Sequence, residues 1–345
     1  MDIAELITKM STPPGPSGFE TQAAEIAEDL LRPYMDEVRT DVLGNVIGVK
    51  RCGAENAVKL LLDAHVDEIG LIVTGIEEGF LRFATLGGVD SRVLPSAEVK
   101  ILTDPPIIGV IATMPPHVLK KDEMEKAVKI DGLFIDIGMS KEEAEKAVPL
   151  GTSAVFNTTA RTLGESMICG RALDDRAGFA AIIRALELMG DAKLNIDLYV
   201  MASAQEEVGT RGAKTGAFSI DPDYSIAVDV GHAKTPDSKS GETLVFGGGV
   251  AVAVGPNMNR AFTEKIIKTA EAHEIKHQIE VIARGESGTN ARSIQISREG
   301  VATALFSIPL KYMHTPVEVI SLSDAEDTAR LICEAVRSMK IGGAE

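Results

Sequence analysis

From about residue 170 onward the chain alternates long amphipathic helical runs with short, nearly all-apolar strand runs. RAGFAAIIRALELM (176–189), RAFTEKIIKTAEA (260–272) and DAEDTARLICEAVRSM (324–339) have helical spacing, with NIDLYVMASA (195–204), DYSIAVDV (223–230), HQIEVIA (277–283) and VATALFSI (301–308) between them. A strand apolar on both faces must be covered on both, so this alternation predicts an α/β fold: a largely parallel or mixed sheet with helices on both faces. The N-terminal part supplies more of the same. TQAAEIAEDLLRPYM (21–35) reads as a surface helix, and EVRTDVLGNVIGVK (37–50) and AVKLLLDAHVDEIGLIV (57–73) as strand-like runs.

Between about Gly70 and Glu165 the texture changes to short alternating strands punctuated by Gly and Pro, such as GFLRFATLGG, AEVKIL, PPIIGVIATMPP, LFIDIG and SAVFNT. One short helix interrupts them at KEEAEKAV, opened by a capping box of Ser140 and Glu143. We therefore expect a discontinuous α/β domain, residues 1–69 and 164–345, with a small β-rich domain, 70–163, inserted in it.

Composition removes several function classes. The formal net charge of -16 repels phosphate backbones, so nucleic acid is not an expected partner. Tryptophan is absent and aromatics are scarce, which leaves no stacking platform for bases or sugars. No uninterrupted apolar run reaches the roughly 18 residues of a membrane helix, and the start, MDIAELITKMSTPPG, lacks the features of a secretion signal. A cytoplasmic protein without membrane contact is expected. Cys52, Cys169 and Cys333 are odd in number and lack CxxC spacing, so they are expected to be reduced and buried.

The chemistry lies where apolar strands run into acids and histidines. In DAHVDEIG, His65 and Asp67 are two apart at a strand end and share a face, so Asp67 is available to fix the second ring nitrogen of a metal-binding His65. Asp174 and Asp175 in GRALDDRAG stand before a long helix, where they can cap it or bridge cations. In VMASAQEEVGTRG a buried strand runs into Glu206 and Glu207, whose side chains diverge; one can bind metal while the other faces a water. Asp229 sits inside the apolar run SIAVDV, where a bare charge costs several kcal/mol. His314 precedes Thr315-Pro316 in PLKYMHTPVEV. Together His65, Asp174, Glu207, Asp229 and His314 are a sensible ligand count for two divalent ions, with Glu206 left over as a general base.

At these residues the sequence resembles the M42 family of metallo-aminopeptidases, the tetrahedral and glutamyl-aminopeptidase-like enzymes, which include chains described as CelM-type endoglucanase homologues. The matches are DAHVDEIG, ALDDRAG, QEEVGTRGA, AVDV and KYMHTPVEV, in family order from near Pro13 almost to the C-terminus. The resemblance implies an aminopeptidase that takes the N-terminal residue from short peptides. It implies two zinc or cobalt ions held by His65, Asp174, Glu207, Asp229 and His314, with Asp174 bridging. It further implies Glu206 as the base acting on a metal-bridged water, Asp67 as the residue that orients His65, and a strained, cis Asp174–Asp175 peptide. Residues 70–163 then correspond to a dimerisation domain, and the homo-oligomer to a dodecamer built from dimers. One departure is Asn290 in GESGTNA, where the family usually has an acid; it is expected on the substrate-side wall.

Two motifs are decoys. His273-Glu274-Ile275-Lys276-His277 spells HExxH, but the helix before it finishes near His273 and a strand period starts at Ile275, so the histidines do not share a helical face. Gly247 to Gly249 lack phosphate-loop or dinucleotide spacing and read as a turn, and His232 reads as an ordinary loop histidine. The alternatives that stay open are another two-metal amidohydrolase (a carboxypeptidase or deacylase), a glycosidase built on the Glu pair, and a metal-binding scaffold without chemistry. The preferred N-terminal residue and the native metal are not readable from the sequence.

Overall fold

A computed structural model describes residues 1–118, 128–238, 243–283 and 285–339; residues 119–127 of the expected insert and 340–345 of the expected α/β domain lie outside it. The strands, in chain order, are β1 Glu37–Thr40, β2 Val46–Lys50, β3 Lys59–His65, β4 Gly70–Glu77, β5 Phe80–Leu86, β6 Glu98–Ile101, β7 Ile107–Ala112, β8 Phe134–Asp136 and β9 Ser153–Phe156. They continue as β10 Arg161–Leu163, β11 Met167–Gly170, β12 Asp197–Ser203, β13 Tyr224–His232, β14 Val250–Val254, β15 His277–Val281, β16 Ala302–Lys311 and β17 Glu318–Ser321. The helices are α1 Ile3–Ser11, α2 Thr21–Leu31, α3 Lys141–Ala147, α4 Leu173–Met189, α5 Arg211–Ile220, α6 Arg260–Ala272, α7 Ala291–Gln295 and α8 Leu322–Ser338.

Two sheets organise these elements. The larger runs β1-β2-β12-β3-β13-β16-β17-β11-β10, with β14 branching from β16 and carrying β15. Its centre is parallel, β12 and β13 flanking β3 and β13 pairing β16, and its margins are antiparallel. Helices α1, α4, α6 and α8 bury one face, and α5 and α7 cover the other. This is the mixed α/β fold that the alternating helices and strands predict. The second sheet is a closed barrel, β4-β5-β8-β7-β6-β9, around its own core of Leu71, Leu81, Val99, Ile101 and Ile135.

Three local expectations change. The run 37–50 is a hairpin rather than one strand, because Asp41 accepts from the N–H groups of Leu43 (2.9 Å) and Asn45 (3.0 Å) and Gly44 takes φ +94°. Helix α1 was not anticipated, although Asp2 and Glu5 form a capping box and Ile3, Leu6, Ile7 and Met10 bury at helical spacing. Helix α5 was also missed, since its glycines mask the pattern; Ala213, Gly216, Ala217 and Ile220 make its buried face. All three cysteines are free as expected, but Cys52 is only half-buried.

The N-terminal loop is anchored to the strand ends by a buried ion cluster. Arg176, fully enclosed, donates to the carbonyls of Val66, Met10 and Pro13 and to Glu68 (3.1 Å). Arg171 donates to Glu68 and to the carbonyl of Thr12, and the Gly15 N–H donates to Glu68 at 2.9 Å. Two guanidinium groups therefore depend on one carboxylate. Removing it leaves both charges buried without an acid, so Glu68→Ala is expected to cost about 3–5 kcal/mol. Urea unfolding measures this, and a loss under 1 kcal/mol would contradict the role given to the cluster.

Candidate active site

Three neighbouring parallel strands, β12, β3 and β13, end on the same side of the sheet, and their last residues and following turns supply the acids and histidines singled out above. That is the side on which open α/β sheets gather ligands. His65 closes β3, Glu206 and Glu207 follow β12, Asp229 lies near the end of β13, and Asp174 opens α4. His314 arrives from the connection between β16 and β17. They line one end of a cavity of about 930 Å³.

Asp174 is the centre of the cluster. Its Oδ1 lies 3.1 Å from His65 Nε2, and its Oδ2 lies 3.4 Å from His314 Nε2. His314 Nε2 is also 3.3 Å from Glu207 Oε2. The ligand-capable atoms of His65, Asp174 and Glu207 lie within 4.8 Å of one another, as do those of His65, Asp175 and Asp229. The second grouping contains Asp175, which the sequence reading left out of the ligand set. Its Oδ1 accepts from the Gly178 N–H at 3.2 Å, and its Oδ2 has no hydrogen-bond partner among the described residues. The Asp174–Asp175 peptide is cis.

Asp67 does more than the sequence allowed for. His65 Nδ1 is 3.2 Å from the Asp67 carbonyl and 3.4 Å from its Oδ1. The same carboxylate accepts from the backbone N–H of Glu206 (2.9 Å), the N–H of Glu207 (3.1 Å) and the hydroxyl of Ser17 (2.6 Å). One buried acid thus fixes the ring on β3 and the turn after β12. Glu318 does the same elsewhere: it accepts from the N–H groups of Leu173 (2.8 Å), Asp174 (3.2 Å) and His314 (3.0 Å). Ser17 and Glu318 escaped sequence reasoning, and Asp175 was noted there beside Asp174 but not counted among the ligands. Glu318 stands in the quoted KYMHTPVEV motif, but nothing in its local pattern says that its side chain turns back to the backbone.

The turns around the ligands are strained. Ala172, Gln205 and His314 have φ of +56°, +57° and +60°, at a cost of roughly 1–3 kcal/mol each for non-glycine residues. The barrel contributes one wall. A Cβ on Gly88 would lie 2.8 Å from His314 Nδ1 and force a shift, and one on Gly87, whose φ is +78°, would lie 3.2 Å from Glu207 Cβ and crowd it. The Gly88 carbonyl stands 3.0 Å from His314 Nδ1.

The electrostatics test whether these residues suit a metal. Burial raises the carboxyls of Asp175 and Asp229 far above the usual range, with Asp229 adding to the first and Asp174 and Glu206 to the second. Burial also pushes Glu206 up to about 8, opposed by His65 and reinforced by Glu207, Asp67 and Asp174. On the two histidines burial works against the proton, but the bonds to Asp174 and its neighbours win; His65 rises well above its usual value and His314 to about 11. The cluster is therefore short of positive charge. Mixed imidazole and carboxylate donors converging on such a deficit fit a divalent metal ion.

Other sequence-singled residues fall outside the cluster. His232 ends β13, exposed at the cavity wall rather than in a loop. In the HExxH motif His273 caps α6 and His277 starts β15, so the two do not meet on a helix. Gly247 and Gly249 form a turn whose N–H groups bond Asp324. Asn290 is not part of the substrate-side wall. It is buried beneath it and donates to Asp63 and Ser203, both at 2.8 Å, because the loop ends there and the chain turns inward into α7.

This fold and this cluster define a hydrolase of the metallo-exopeptidase type. The family model for M42 glutamyl aminopeptidases matches residues 44–331, and the chain belongs to that family. It is an enzyme of the peptide-hydrolase class. A lysyl aminopeptidase of Pyrococcus furiosus is 37% identical over 97% of both chains. An aminopeptidase from the archaeon Desulfurococcus kamchatkensis superposes with a TM-score of 0.91 at 35% identity, over 99% of this chain and 98% of that one. The TET1 peptidase of Pyrococcus horikoshii, described as assembling into a tetrahedron or a large octahedral shell, gives 0.86 at 32% identity over 98% and 100%. No helix among the described residues is long and apolar enough to cross a membrane.

Because metal ions would take the place of the protons that the buried cluster otherwise draws in, chelated protein is expected to melt lower than protein supplied with zinc or cobalt. At a hundredfold excess over Kd the gain is about 2.7 kcal/mol. Asp174→Asn is expected to lose most of that gain. A melting temperature indifferent to metal in the parent chain would sink the reading of the cluster.

Proposed function

We propose that this chain is a dinuclear metal-dependent aminopeptidase that releases the first residue of short peptides. The observation that carries the proposal is the two-sided disposition of Asp174, one oxygen toward His65 and the other toward His314 and Glu207. Such a carboxylate could serve two ions at once. On this reading His65 and Asp229 would hold one, Glu207 and His314 the other, and Asp174 both. Asp175, the other acid beside His65, backs the first position. Bound there, the ions would polarise the scissile carbonyl and acidify the attacking water.

The remaining steps belong to the protein. Glu206 lines the cavity beside the ligands and, held by Asp67 through its N–H, takes the proton of the attacking water and delivers it to the leaving nitrogen. Asp67 keeps the His65 ring turned and the Glu206–Glu207 turn in place.

Glu206→Gln is expected to retain the metals and lose turnover by ~10²–10⁴-fold. Metal content and kcat measured on the same preparation check this, and full activity would remove Glu206 from the mechanism. Free-amine and N-acetylated versions of one peptide separate this activity from a carboxypeptidase or deacylase: an aminopeptidase rejects the blocked peptide.

The inserted segment, 70–163, is proposed as the unit through which subunits pair in the cytoplasm, the dimers building a dodecamer. Ile108 (48% exposed) and Val110 (44%) on β7 present apolar surface on the barrel, and the related TET1 peptidase forms closed shells. Val110→Asp is expected to lower the sedimenting mass of the particle. An unchanged mass would move the contact elsewhere.

A further inference from the structure

If the chain is an aminopeptidase, the side chain of the first residue must lie in the part of the cavity beyond the ligands. We propose that Glu280 lines that part and selects peptides whose first residue is cationic, lysine or arginine.

The placement follows from strand register. Asp229 on β13 lies opposite Ser307 on β16, and Ser307 lies opposite Ala251 on β14. Glu280 on β15 lies opposite Ala253, two residues along β14 from Ala251, so its backbone is three strands across and two residues along from Asp229, roughly 16 Å at the usual spacings. The alanines of β14 leave room above that strand. Across it the Glu280 side chain reaches back, and its Oε2 accepts from the Ser307 hydroxyl at 2.6 Å. This brings the carboxylate to within about one or two strand spacings of the ligand cluster, ~5–10 Å, a reach suited to the flexible four-carbon stem of lysine.

The charge around it has one sign to spare. Glu280 Oε1 accepts no hydrogen bond among the described residues and faces Gly231, where an added Cβ would stand 3.5 Å away. No described cation lies within ion-pair distance of Glu280. Among the described residues, the other charged groups of the cavity beyond the ligands are Glu286 and Arg292, which stand 3.7 Å apart and offset one another, and His232 beside Glu280. Ile282, Leu305 and Met313 supply apolar wall for a methylene stem. A carboxylate recessed in such a wall, tied down on one oxygen and open on the other, is the complement of an ammonium or guanidinium group. An acidic first residue would instead meet the carboxylate and be repelled.

The test measures kcat/KM for lysyl, arginyl, leucyl and glutamyl amides with the metal-loaded parent chain and with Glu280→Gln and Glu280→Lys. The parent is expected to prefer lysyl and arginyl amides, and Glu280→Gln to lower the lysine-to-leucine ratio about 10–100-fold, the size of one charge-assisted hydrogen bond. Glu280→Lys is expected to reverse the preference toward the glutamyl amide. A parent chain indifferent to charge, or a Glu280→Gln variant that loses all substrates in equal proportion, overturns the assignment. Calorimetry with lysine amide and leucine amide reads the same preference without turnover. A chain that cleaved no amide would overturn the aminopeptidase reading, while the Glu280 assignment would stand or fall on that binding ratio.

Discussion

The enclosed carboxylate of Asp67 ties together three parts of the chain that are distant in sequence: the hydroxyl of Ser17 in the N-terminal loop, the ring of His65 at the end of β3, and the N–H groups of Glu206 and Glu207 beyond β12. Its neighbour Glu68 faces the other way and holds two buried guanidinium groups, which grip the same loop. Successive side chains of an extended segment point to opposite sides, so the DE pair in HVDEIG divides its work, one acid toward chemistry and one toward architecture. Asp67 accepts four donors or near-donors and stays ionised despite its burial, because His65, Ser17 and the backbone of Glu206 outweigh the loss of water.

Carboxylates that gather without such partners behave differently. Asp175 and Asp229 are driven toward protonation by burial, each made worse by a neighbouring acid, and burial beside Asp174 raises Glu318 as well despite its three N–H donors. The fold tolerates this because the strands beneath are largely apolar and most of the acids sit near their ends, while Asp63, inside β3, accepts from Asn290. The two conditions are complementary: the same sheet that buries Leu60, Leu61 and Leu62 gives His65 a rigid, dry mount, and a dry mount is what makes a charge deficit severe enough to bind cations tightly.

Much of this was legible in the sequence because period and position carried it. The helices 173–189 and 322–338 and the central strands announce themselves by spacing, and acids at the ends of buried strands are conspicuous against their cost. What escaped was of two kinds. Side chains that turn back on the backbone, such as Glu318 holding the N–H groups of Leu173, Asp174 and His314, leave no periodic trace. Neither does burial by a change of direction, as with Asn290, whose neighbours Thr289 and Arg292 line the cavity while it points inward to Asp63. The HExxH motif shows the converse, since there local period was enough to reject a literal match.

The paired glycines at the end of the barrel have a consequence for the site beside it. Gly87 and Gly88 belong to the chain that leaves β5, yet they press on Glu207 and His314 in the other sheet. The binding centre is therefore completed across a seam between two separately cored bodies. All five candidate ligands belong to the half built on the larger sheet, and what the barrel adds is bare backbone laid against two of them, so a shift of the barrel would be felt first at Glu207 and His314.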